Sequence, residues 1–197
     1  NSFENTKNEK KNIRRKKKKK ILKKNTKSIK INGTSKKIIK IFGKNNLQPL
    51  KMDVPSDPSS AAFFTALTLL NKDSKLIIKN VGLNPTRIGF YKLLKAQGSH
   101  IKFKNLKNIN KEVIGDIYVK SSKMKPIKAS KKYYVNSTDE YPILFVIAAL
   151  TNGISIFEGI SDLANKESNR IKEMQKILKQ IGISSKFTKD ELKIFGK

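Results

Sequence analysis

The sequence predicts an α/β fold of the α+β kind, built from two copies of one supersecondary unit. Three observations predict it. Helix and strand patterns recur in one order, helix–strand–helix–strand–strand, twice over residues 57–195. Leu178-Lys179-Gln180-Ile181-Gly182 follows Leu94-Lys95-Ala96-Gln97-Gly98 by 84 residues, and a helix start at Asp139 follows one at Asp57 by 82. Lys40-Ile41-Phe42-Gly43-Lys44 returns as Lys193-Ile194-Phe195-Gly196-Lys197, as though each closed the same kind of unit. Repeats of this size imply units that stack and share a core. One apolar and one amphipathic helix per unit imply layers, with the first helix buried on all sides and the second facing water.

Taken in order, residues 1–37 are polar and basic with few apolar anchors. Lys37–Gly43 reads as a strand ending at a glycine turn and Asn45–Lys51 as a loop. Asp53–Ser60 is turn-rich; Asp57 or Ser59 can cap, and Pro58 can open, an apolar helix running to Leu70. Lys75–Val81 is a strand. Thr86–Gln97 is an amphipathic helix with Ile88, Tyr91 and Leu93 or Leu94 inward, stopped by Gly98. Ile101–Lys104 and Asp116–Lys120 are strands. The second copy comprises an apolar helix over Asp139–Leu150, a strand over Ile154–Gly159 and an amphipathic helix over Lys166–Gln180. That last helix has Ile171, Met174, Ile177 and Leu178 inward. Strands at Ser185–Thr188 and Glu191–Phe195 complete it.

Composition excludes several function classes. There is no cysteine, hence no disulfide, thiolate zinc site or cysteine nucleophile. No apolar run approaches the roughly 20 residues that span a bilayer, and the N-terminus has no apolar signal core. The expected setting is the cytoplasm. The first residue is not Met, so a fragment is expected. The net charge is +29, and removing the eleven cations of the Lys10–Lys24 run still leaves +18. So spread an excess, with abundant Asn and Ile, fits an AT-rich genome better than a nucleic-acid surface. No aromatic stacking platform or recognition helix accompanies it.

Two segments carry chemistry. Ser137-Thr138-Asp139-Glu140-Tyr141-Pro142 and Asn165-Lys166-Glu167-Ser168-Asn169-Arg170 each have a plain reading as a helix start, with Asp139 as cap and Glu140 and Glu167 favouring the helix dipole. Together they offer two carboxylates, Asp139 and Glu167, for acid–base work. Lys166 and Arg170, four apart, would share a helix face as an anion clamp. His100 stands alone at a strand start, and Arg87 reads as an anchor for a helix start.

Four stretches in order resemble the 5-enolpyruvylshikimate-3-phosphate synthase family, particularly its bacterial glyphosate-tolerant class. They are Asp53–Phe64, the Leu83-Asn84-Pro85-Thr86-Arg87 turn with Gly89, Asp139–Leu144, and Lys166–Arg170. The resemblance implies a fold of two lobes, each an inverse α/β barrel of three βαβαββ units. Residues 1–50 would be the tail of the first lobe and 51–197 two of the three units of the second. It implies transfer of the enolpyruvyl group of phosphoenolpyruvate to the 5-hydroxyl of shikimate 3-phosphate, in aromatic amino-acid biosynthesis. No metal or cofactor would take part, and the full-length enzyme would be a monomer. Asp139 would take the hydroxyl proton, Lys166 would contact shikimate 3-phosphate or the enolpyruvyl group, Glu167 would protonate the methylene carbon, and Arg170 would grip the phosphoenolpyruvate carboxylate. The family is about twice as long, so a substrate-binding Lys-Ser-Arg motif upstream and an Asp-His-Arg segment downstream would be missing from this piece. Ala164 and Asn169 stand where the family usually has Arg and Asp. The competing expectations are a catalytically dead basic module that binds polyanions or RNA through Lys10–Lys24, and a purely structural remnant.

Overall fold

A computed structural model of the chain describes residues 26–31, 34–39, 49, 53–166 and 168–197. The chain divides into two units, residues 1–52 and 53–197. In the first, β1 (Thr26–Ile31) and β2 (Thr34–Ile39) pair antiparallel, from Thr26↔Ile39 to Ile31↔Thr34. The residues between them are Asn-Gly, the pair favoured in two-residue hairpin connections. The strand expected to begin at Lys37 thus begins at Thr34; its residues 40–43 and the Lys10–Lys24 run lie outside the described residues.

The second unit contains the expected repeat. The first copy is α1 (Pro58–Leu70), β3 (Lys75–Gly82), α2 (Gly89–Ala96), β4 (Ile101–Ile109) and β5 (Glu112–Lys120). The second begins with β6 (Lys128–Ala129). Then come α3 (Tyr141–Ala149), β7 (Gly153–Glu158), α4 (Arg170–Gln180), β8 (Ser184–Thr188) and β9 (Glu191–Gly196). The sheets have orders β3-β5-β4 and β6-β7-β9-β8. Each also has a short leading strand parallel to its second: β6 beside β7, and a single bridge from Ser56 to Val81 in β3. Both copies are therefore β–α–β–α–β–β in the order 1-2-4-3. A two-residue strand and a single bridge are too short to leave a pattern in sequence.

Local chemistry sets the boundaries. Asp57 caps α1, accepting from the Ser60 N–H at 2.8 Å. The helix expected from Thr86 starts at Gly89 instead, because Asn84–Arg87 closes a turn first. That turn is pinned to β5 where the Val113 N–H donates to Asn84 Oδ1 at 3.0 Å. Gly89 then packs against the next segment so closely that a Cβ there would lie 2.6 Å from the Asn136 carbonyl oxygen. β4 and β5 extend well beyond the expected strands and join through Asn110-Lys111, both at positive φ. Asp116 holds two irregularities of this sheet together, accepting from Asn80 N at 3.0 Å and Asn105 Nδ2 at 2.7 Å.

The core runs through both copies. Tyr141, Phe145 and Phe157 are fully buried and meet edge-on, Phe145 and Phe157 at 4.9 Å. α3 is buried on nearly every side, as expected, but α1 is not. Phe63, Phe64 and Leu67 are 65%, 59% and 61% exposed. Its small residues Ala61, Ala62 and Ala66 face the core together with Leu69, while Phe63, Phe64 and Leu67 face away from it. In α4, Ile171 and Leu178 are buried, whereas Ile177 is half exposed.

Candidate active site

Each repeat brings an acid and an arginine together at its helix starts. In the first copy Arg87 Nη2 lies 3.3 Å from Asp57 Oδ1. In the second, Arg170 Nη1 lies 3.5 Å from Asp139 Oδ1. The two acids have different duties. Asp57 caps α1 through Oδ2, and although burial raises its carboxyl, the Ser60 N–H and hydroxyl, the Ser59 N–H and Arg87 more than offset this and hold it low. Asp139 caps nothing. It sits in the 3-10 turn Thr138–Glu140, Glu140 takes the cap position of α3, and no side chain caps that helix. The plain reading of Asp139 as a helix cap is thereby corrected. Its carboxylate is two-thirds exposed and set against Arg170.

The segment before Asp139 is stiffened by its own side chains. Ser137 Oγ donates to the Tyr133 carbonyl at 2.6 Å and Thr138 Oγ1 to the Tyr134 carbonyl at 2.8 Å. Glu140 is buried, and Ser59 Oγ donates to its Oε1. Burial raises the Glu140 carboxyl, against the lowering effect of the Ser59 hydroxyl. Arg87 Nη2 in turn lies 3.3 Å from Ser59 Oγ, so Arg87 anchors a helix start, that of α1, and through Ser59 also ties it to the turn that carries Asp139.

The other arm departs from expectation. Lys166 is not on the helix: it follows the 3-10 turn Ser161–Asn165 and is extended, at φ −83 and ψ −170. α4 starts at Arg170, because Asn169 caps it by accepting from the Lys172 N–H at 3.0 Å. Lys166 and Arg170 therefore do not share a helix face as expected: Lys166 lies on a loop and Arg170 at the helix start. Asn and Asp both cap well, so Asn169 does the work an Asp would do there. Lys166 Nζ lies 3.2 Å from Asp162 Oδ2, which also accepts from the Tyr134 hydroxyl at 2.9 Å. The Tyr134 hydrogen bond and Lys166 hold the Asp162 carboxyl low, while burial and Asp162 push the Tyr134 hydroxyl up to about 12. Glu167 lies outside the described residues.

Asp139 and Arg170 also stand at one end of a groove of about 1020 Å³ between α1, α3 and α4. Its walls are Phe63, Leu67, Val146, Leu150, Met174 and Ile177. Those apolar walls offer no charge to an anion; Asp139 and Arg170 are the charged residues of the groove's lining. Among the described residues no His, Cys, Asp or Glu group could hold a metal, and no helix is long and apolar enough to cross a membrane.

Sequence reasoning missed Tyr134 and Asp162, and weighed Ser59 only as a helix cap. Only Asp162 left a signal, as an acid four residues before a lysine. Glu140 was visible only as a charge favouring a helix start.

The model of the family described as EPSP synthase (3-phosphoshikimate 1-carboxyvinyltransferase) matches residues 4–197. A 3-phosphoshikimate 1-carboxyvinyltransferase of Zymomonas mobilis is 42% identical over 160 residues, 81% of this chain and 35% of the relative. One of Persephonella marina is 41% identical over 160 residues, 81% of this chain and 37% of the relative. The solved EPSP synthase of Acinetobacter baumannii superposes with a TM-score of 0.73 at 32% identity, covering 87% of this chain and 38% of that one. The chain thus spans a little over a third of the length of these relatives.

Proposed function

The chain belongs to the EPSP synthase (3-phosphoshikimate 1-carboxyvinyltransferase) family, and from that premise we propose that it carries one side of an enolpyruvyl-transfer site for shikimate 3-phosphate and phosphoenolpyruvate. The observation that supports this most is the Asp139 carboxylate, free of capping duty and set 3.5 Å from Arg170. Both substrates are polyanions, so cations at a helix start and an adjoining loop suit them. In the transfer, the 5-hydroxyl oxygen bonds to C2 of phosphoenolpyruvate while a proton is added to its methylene carbon. Phosphate then leaves, and a proton is lost from that carbon to restore the double bond. Asp139 takes the hydroxyl proton, Arg170 holds the phosphoenolpyruvate carboxylate, Lys166 meets shikimate 3-phosphate or the enolpyruvyl group, and Glu167 supplies the methylene proton. On this reading no cofactor or metal takes part, the setting is cytoplasmic, and residues 1–50 and 51–197 belong to successive lobes of a monomeric enzyme.

The test is phosphate release by the full product of the reading frame. Asp139→Asn keeps the size of the side chain but removes the base, and a general base contributes about 10²–10⁴-fold. A loss in that range is expected in kcat. Unchanged turnover in Asp139→Asn would sink the assignment of Asp139.

A further inference from the structure

Asp162 has no part in the chemistry above, yet one oxygen of its carboxylate serves both arms of the site. Oδ2 accepts from the Tyr134 hydroxyl at 2.9 Å and from Lys166 Nζ at 3.2 Å. Tyr134 is itself fixed. Thr138, next to Asp139, donates to its carbonyl at 2.8 Å, and its ring meets the buried Tyr141 ring edge-on at 5.4 Å. The Asp162 turn is held from the other side, where the Ser161 N–H donates to Asp190 Oδ1 at 2.7 Å. A lysine ammonium on a flexible stem has no orientation of its own; here it is set against an oxygen whose place is fixed by the turn that carries Asp139.

We propose that Asp162 is a positioning residue, anchored through Tyr134, that holds Lys166 in register with Asp139 and yields it to an incoming phosphate. This rests on the reading of Lys166 as a substrate contact. The weakness of the pair suits the task. Asp162 is 59% and Lys166 32% exposed, and exposed pairs hold so loosely that a phosphate dianion can take the ammonium over.

Lysine acetylation followed by mass spectrometry tests this on the chain itself. Cleavage after glutamate gives the peptide Gly159–Glu167 (Leu163–Glu167 in Asp162→Glu), whose one lysine is Lys166, and Ser168–Glu173, whose one lysine is the exposed Lys172. The ratio of their acetylation rates is the readout. Asp162→Asn is expected to raise it about two- to fivefold, the range of an exposed ion pair, and Asp162→Glu, which keeps the anion, to hold it near the wild-type value. In the unmutated chain, raising NaCl from about 0.05 to 1 M is expected to raise the ratio, because screening closes to about 3 Å. This second measurement needs no variant to fold. A ratio indifferent to both Asp162→Asn and salt overturns the proposal, as does an equal rise in Asp162→Glu. Shikimate 3-phosphate is expected to slow Lys166 acetylation. A ratio that responds to Asp162 but not to shikimate 3-phosphate leaves Asp162 as the anchor of Lys166 and overturns the substrate reading.

Discussion

Replacing Glu140 separates what its charge does from what its hydrogen bond does. Glu140 is 3% exposed, and Ser59 Oγ donates to it. Glu140→Ala removes an acceptor and leaves the Ser59 hydroxyl without that partner. A hydrogen bond to a charged group is worth about 1.5–3 kcal/mol, so with a urea slope of about 2 kcal/mol/M the unfolding midpoint falls by about 1 M. Glu140→Gln keeps an acceptor oxygen and loses only the charge. Burial raises the Glu140 carboxyl above its ordinary value of 4.5, so the folded chain binds this proton more tightly than the unfolded chain. That contribution to stability is full below about pH 4.5 and is lost as pH rises through the raised folded value. Glutamine does not titrate. The stability of wild type relative to Glu140→Gln must therefore decline with rising pH across that window, and near neutrality Glu140→Gln should equal or exceed wild type. Asp57, Asp116, Asp162 and Asp190, all held low, act in the opposite sense as pH falls below 3.8. They are common to both proteins and cancel in the difference. Urea unfolding followed by far-UV circular dichroism from pH 4 to 8 measures it. A gap between wild type and Glu140→Gln that stays constant with pH would refute the reasoning.

Three further outcomes follow from named contacts. Gly89→Ala puts a Cβ 2.6 Å from the Asn136 carbonyl oxygen; overpacking of about 2 kcal/mol should lower Tm by about 4–8 °C. Asn169→Ala should cost about 1 kcal/mol in urea unfolding through loss of the α4 cap, whereas Asn169→Asp should hold wild-type stability. Phe145→Ala empties a fully buried site between Tyr141 and Phe157 and should cost about 3–5 kcal/mol by the same assay.

The repeat was legible because hydrophobic periodicity and glycine stops are local signals, and the two amphipathic helices carry both. What stayed hidden depends on partners distant in sequence. The β4–β5 hairpin runs through Asn105–Lys111, a polar stretch without alternation whose turn is Asn-Lys rather than Asn-Gly. Its strands are specified by pairing with β3 and by Asp116. The start of α4 was misplaced by four residues because Lys166, Glu167 and Ser168 continue its composition, and only the Asn169 side chain marks the boundary. The residue types of the site were visible in sequence. The mates of Asp139 and Lys166, Arg170 across 31 residues and Asp162 at four, were visible only as charges without geometry.

Why an acid and a cation meet at all follows from the leading strands. In each copy the first two strands are parallel, Ser56 beside β3 and β6 beside β7. A helix follows each of those strands, so both helices of a copy must start from the same edge of its sheet. That edge, beyond the carboxyl ends of parallel strands, is where open α/β sheets present ligand sites. The topology therefore produces an acid–arginine pair twice, Asp57–Arg87 and Asp139–Arg170. In the first copy the acid also caps α1, and the arginine reaches Ser59, which donates to Glu140, so the pair locks one copy to the next. In the second copy α3 has a proline in its first turn, as α1 has, but no side chain caps it. Asp139 is thus free of capping duty, and its neighbour Thr138 is hydrogen-bonded to Tyr134, which joins Lys166 through Asp162. One repeat geometry yields a joint in one copy and an exposed carboxylate beside Arg170 in the other, and the difference lies in whether the acid caps the first helix.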